Sequence, residues 1–122
     1  MDERRTLRVS EAVREELSEI IGFELDDPRL AEVDVTDVHV SPDSRHATIK
    51  VALHGEDRQK NQALAALDHA SGYLRRELAS RLRLRHVPEL HFEADKNPDA
   101  DSRIDFLLRR AKKSRSREEK QP

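Results

Sequence analysis

A stripe of apolar residues at three- and four-residue spacing, Ala63, Leu64, Leu67, Ala70, Leu74, Leu78 and Leu82, passes straight through Ser71 and Gly72. Such spacing places the residues on one face of a helix. A glycine inside a helix costs about 1 kcal/mol relative to alanine, so Gly72 asks for a packing, kinking or functional reason. The simplest reading is two helices, roughly 58–70 and 72–83, meeting at a kink where glycine permits close approach or non-helical torsions.

The segments around this stripe complete an α+β pattern. Val9, Val13, Leu17, Ile20 and Ile21 share a helical spacing that ends at Glu24, predicting an amphipathic helix over about 6–25, which Asp27-Pro28 terminates. Val33 to Val40 is rich in β-branched residues, but the parity of its valines switches near Thr36 and Asp37. A β-bulge and a strand buried on both faces both account for that switch. SPDSR reads as a turn, and HATIKVALH alternates so that Ala47, Ile49, Val51 and Leu53 share a face, predicting an antiparallel hairpin. Leu90, Phe92 and Ala94 predict a third strand, with Pro88 near its start. SRIDFLLRRAKK reads as a short closing helix. Helices covering one face of a three-stranded sheet form the economical architecture.

At 122 residues the chain suits one domain. We divide it into a folded unit over 1–109 and a basic, disordered tail over 110–122. The 23 basic and 25 acidic residues nearly cancel, but they are segregated. Between Glu19 and Asp43 there are eight acids and one base, Arg29; between Arg75 and Arg85 there are five arginines and one acid, Glu77; between Arg109 and Arg117 there are six bases and no acid. Local charge governs binding fields, so one part of the molecule should repel phosphate while others attract it. The absence of cysteine excludes disulfides and thiolate chemistry. No apolar run approaches a membrane span, and the N-terminal residues lack a signal-peptide core, so a cytoplasmic location without membrane attachment is expected.

Several pieces in order resemble the ribosome-binding factor A family, a group of bacterial small-subunit assembly factors. They are RVSEAVREELSEII, DDPRL, VTDVHVSPDSRHATIKV, ASGYLRREL, LRLRHVPELHF and RIDFLL, together covering nearly all of residues 4–108. The resemblance implies a KH-like fold of type II topology, with Ala70, Ser71 and Gly72 matching an interhelical Ala-x-Gly kink where RNA-binding KH domains usually carry a Gly-x-x-Gly loop. It also implies binding to the free small (30S) subunit, assistance in late maturation of its 16S ribosomal RNA, and importance in the cold. The family pattern Asp-x-Ser-x-Glu-x-Gly is met here by Asp95, Asn97, Asp99 and Asp101, a departure at three positions.

Arginine and lysine bind RNA phosphates, and arginine also forks or stacks on bases, so Arg75, Arg76, Arg83, Arg85 and His86 form the main candidate RNA surface. Arg81 is set to make a helix ion pair with Glu77. Arg109, Arg110, Lys112 and Lys113 form a second candidate, a basic arm; Arg4, Arg5 and Arg8 are a weaker third. The Asp95–Asp101 spacing imitates a calcium loop, but Ala100 and Phe106 stand where glycine and glutamate are needed. The histidines, His39, His46, His54, His69, His86 and His91, lack metallohydrolase spacing and read as surface or edge positions. No nucleophile with an identifiable base is present, so a monomeric, non-enzymatic protein without metal or other cofactor is expected. The rival reading is a protein-interaction module using the acidic segment, with no RNA affinity of its own.

Overall fold

The computed structural model describes residues 3–96 and 108. Helix α1, Glu3–Glu19, buries Val13 and Leu17 of the expected stripe together with Thr6 and Ser10, while Val9 is only half-buried against the core. Its last turn widens over Ile20–Glu24, closed by the Leu25 amide donating to the Ile20 carbonyl at 2.9 Å, five residues back. Ile20 and Ile21 are both buried there. Asp27 then caps a single 3₁₀ turn, Pro28–Leu30, by accepting from the Arg29 amide at 2.9 Å. Proline at the first position needs no donor, and the turn drives Leu30 into the core.

Strands β1 (Asp34–Val40) and β2 (His46–Ala52) pair antiparallel, as expected. The register shifts between Val35 and Asp37, which decides the parity question in favour of a bulge. Thr36 sits at the bulge and is retained by the sheet: its hydroxyl donates to Asp95 Oδ2 at 2.8 Å and lies 3.1 Å from the Lys50 carbonyl. Val35, Val38 and Val40 are thereby all directed to the buried face.

Helix α2, Asp57–Leu82, crosses back so that β3, Glu89–Ala94, lies parallel to β2 at the other edge, giving the order β1-β2-β3. A parallel pair requires such a crossover, and α2 supplies it. Glu56 and Gln59 form a capping box at its start, with the Glu56 amide donating to Gln59 Oε1 at 2.8 Å.

The two helices expected on either side of Gly72 are a single helix. Ala63, Ala66, Leu67, Leu74 and Leu78 are buried along it, with Ala70 half-buried against the core between them, and this packing outweighs the modest cost of one glycine. Ser71 donates from its hydroxyl to the Asp68 carbonyl at 2.8 Å, within the helix. Residue Arg83, rather than a glycine, takes the left-handed conformation that ends α2, with φ 51° and ψ 42°.

One continuous core joins Val13, Leu17 and Ile20 of the first helical segment with Leu67, Leu74 and Leu78 of α2 and Ile49 and Val51 of β2. Each such fully buried side chain contributes about 1.5–3 kcal/mol relative to exposure. The opposite sheet face carries Asp37, His39, His46, Lys50, Glu89, His91 and Glu93, all exposed. The closing helix and the basic arm expected from the sequence, including Arg109, Arg110, Lys112 and Lys113, lie outside the described residues, apart from Leu108, which is helical and exposed.

Candidate nucleic-acid interface

The β1–β2 turn is held by its own polar side chains. Asp43 Oδ1 accepts from the Ser41 hydroxyl at 2.6 Å and from the Arg45 amide at 3.0 Å, which holds its carboxyl below the usual carboxylate range. The Ser41 hydroxyl oxygen in turn accepts from the His46 amide at 3.1 Å, and Ser44 takes a left-handed backbone with φ 61°. Arg45 therefore projects from a fixed turn and is exposed.

Facing that turn, the guanidinium of Arg75 donates through Nη2 to the Val87 carbonyl at 3.0 Å. This bond ties α2 to the segment entering β3 and orients Arg75, leaving other guanidinium N–H groups to meet an anion. Asp43, Ser44, Arg45, Arg75, His86, Val87 and Glu89 line one open groove. Arg45 and Arg75 favour phosphate there, and the two carboxylates of the groove, Asp43 and Glu89, limit where an anion can enter.

The structure thus joins Arg75 and His86 and adds Arg45, which sequence reasoning missed. Arg45 belongs to a turn 30 residues from Arg75, and the signal available for it was only a lone base beside SPDS. Arg76, Arg83 and Arg85 are exposed on α2 and the connection that follows it. The nearest atom to a side-chain carbon built on Gly72 is Nη1 of Arg76, at 3.7 Å. The surface at Gly72 is therefore covered by the Arg76 guanidinium, and Tyr73, the next residue of α2, is 38% exposed. An exposed aromatic ring is a surface on which an unpaired base can stack.

Arg81 does not belong to this surface. It meets Glu77 at 3.3 Å on its own helix, as the spacing predicted, and also Glu16 at 3.4 Å and Glu24 at 2.5 Å on the first helical segment. Its hydrogen bond to Glu24 above all raises its already high pKa, and its three carboxylate partners place its charge at the joint between the two helices. Part of the acidic segment is neutralised internally in the same way, since Asp27 pairs with Arg29 at 2.8 Å, which holds the Asp27 carboxyl below its usual range.

The family model for ribosome-binding factor A matches residues 5–108. A ribosome-binding factor A from Solibacter usitatus (strain Ellin6076) is 74% identical over 119 residues, spanning 98% of this chain and 97% of that protein. The crystal structure of ribosome-binding factor A from Thermus thermophilus is 31% identical, with a TM-score of 0.66 over 73% of this chain and 94% of that one. A homology model of the Thermus thermophilus factor, fitted into the cryo-EM map of a 30S complex with it, is 32% identical with a TM-score of 0.61, over 74% and 94% of the two chains. With the family model spanning nearly the whole described fold and a relative at this identity over nearly the full length, the chain belongs to the ribosome-binding factor A family.

Proposed function

We propose that this protein is a non-catalytic assembly factor that binds free small ribosomal subunits through their RNA and assists late maturation of 16S ribosomal RNA in the cytoplasm, acting as a monomer. The observation that carries the reading is the similarity to a relative placed in a 30S complex. The groove of Arg45, Arg75 and His86, together with exposed Arg76 and Arg85, supplies the matching chemistry: arginines that meet phosphate, with Tyr73 available to stack.

The helix-strand-strand-helix-strand order and the mixed sheet support a KH-like domain of type II topology over 1–109. Ala70, Ser71 and Gly72, at the position the resemblance gives to the kink, let the Arg76 guanidinium lie over the helix at Gly72 and so shape the RNA-facing surface. Arg109, Arg110, Lys112 and Lys113 add a basic arm whose phosphate contacts are sequence-independent. Importance in the cold, when misfolded RNA is slowest to escape, follows from the same role.

Co-sedimentation tests this. The protein should pellet with free small subunits and not with large subunits or complete ribosomes, and Arg76→Glu with Arg85→Glu should abolish pelleting. Arg75 is left in place because its bond to Val87 supports the fold. Equal pelleting with all particles, or unchanged pelleting of the charge-reversed protein with an intact circular dichroism spectrum, would refute this surface.

A further inference from the structure

Two histidines that lie 45 residues apart in the chain stand side by side on the open face of the sheet. The parallel register of β2 and β3 sets His46 opposite Glu89 and Thr48 opposite His91. Because side chains alternate along a strand, His46, Glu89 and His91 emerge from the same face. His46 Nδ1 lies 3.0 Å from His91 Nε2 and 3.9 Å from Glu89 Oε2, and the rings are tilted by 35° with centroids 5.2 Å apart. One donor atom from each of the three residues falls within 4.8 Å of the others.

That arrangement has two consequences. Two imidazole nitrogens at 3.0 Å form a contact only if one carries the proton and the other a lone pair. If both rings instead hold their protons on the far nitrogens, two lone pairs and a carboxylate oxygen converge on one point. Donor atoms bound at about 2.0–2.2 Å around a tetrahedral ion stand roughly 3.4 Å apart, inside the range of separations seen here. All three side chains are exposed, so small rotations suffice to close the set, and nothing buried has to move.

We propose that His46, Glu89 and His91 form a binding site for a divalent transition-metal ion, zinc above all. Two imidazoles with one carboxylate suit zinc, cobalt, nickel or copper, whereas magnesium and calcium prefer all-oxygen sets. Three protein ligands leave one tetrahedral position to water or to an outside donor. Glu89 also borders the groove of Arg45 and Arg75, and the Glu89 amide donates to the Arg45 carbonyl at 2.8 Å. A bound ion adds positive charge at that edge. The site itself stands on the sheet register alone and is independent of the RNA-binding reading.

The test is calorimetric titration of the metal-free, full-length protein with zinc chloride at neutral pH, with cobalt(II) absorption as a second probe of coordination. One-to-one binding is expected, weakened at least about tenfold in His46→Ala and in His91→Ala. His39→Ala, which alters another exposed histidine of the same face, should bind as the unaltered protein does. Absence of saturable zinc binding overturns the proposal. So does zinc affinity unchanged in both His46→Ala and His91→Ala, or magnesium bound as tightly as zinc. Circular dichroism of each variant establishes that the sheet is intact; the altered side chains are exposed and lie outside the core.

Discussion

Gly72 lies in the interior of α2, while Arg83 takes the left-handed position at the helix end where glycine is usual. An added methyl group at Gly72 meets nothing but the flexible end of Arg76. Gly72→Ala is therefore expected to stabilise the protein by about 0.5–1 kcal/mol, read as a higher urea midpoint with an unchanged slope. A destabilised variant would show that residue 72 departs from the helical conformation. Arg83→Gly relieves the left-handed strain and should also raise the midpoint, by an amount of the same order, about 0.5–1 kcal/mol after the greater freedom of glycine in the unfolded chain is set against it. The sequence could not disclose either case: the rule that glycine marks a break points to residue 72, and nothing about an arginine marks residue 83 as a helix end.

At the level of elements, the helical and strand periods were readable because each element buries one face, and burial is what the periodicity of apolar residues records. The parity switch at Thr36 announced an irregularity, although only the partner strand could identify it as a bulge. What escaped was long-range pairing. The parallel placement of β3, the proximity of Arg45 to Arg75, and the joining of His46 to His91 all depend on how α2 carries the chain across the sheet. The same applies to the outer edge of β1. There the buried Val40 amide, which points away from the sheet, donates to the buried Ser10 hydroxyl of α1 at 3.0 Å. A serine within an amphipathic stripe looks like a gap in the apolar face, but here it covers a strand edge. Ser10→Ala should leave that amide unsatisfied and cost about 1–3 kcal/mol. Hydrogen exchange is the direct measurement: the Val40 amide should lose protection in excess of the global change, and equal loss at all core amides would show that the bond has no local role.

Across the whole molecule, the near balance of charge conceals how the charges are used. Arg81 and Arg29 are paired with carboxylates of the fold, whereas Arg45 and Arg75 line the groove and Arg76 and Arg85 are exposed. If these four cations each meet a phosphate, binding to small-subunit RNA should weaken with salt along a logarithmic slope of about −2.8 to −3.6, since each contact contributes roughly −0.7 to −0.9. Arg76→Gln should reduce the steepness by nearly one contact and lower affinity similarly for unrelated RNA sequences, the mark of a backbone contact. Arg81→Gln should lower thermal stability without altering the slope, because its charge serves the joint between the helices. The interaction-module alternative reverses this pattern. A partner held by the acidic segment would respond to neutralisation of exposed Glu19, Asp26 or Asp37, and Arg76→Gln would leave both affinity and slope unchanged. Fluorescence anisotropy over a range of potassium chloride concentrations separates the two, because the number of phosphates engaged is read from the slope and does not depend on knowing which nucleotides are touched.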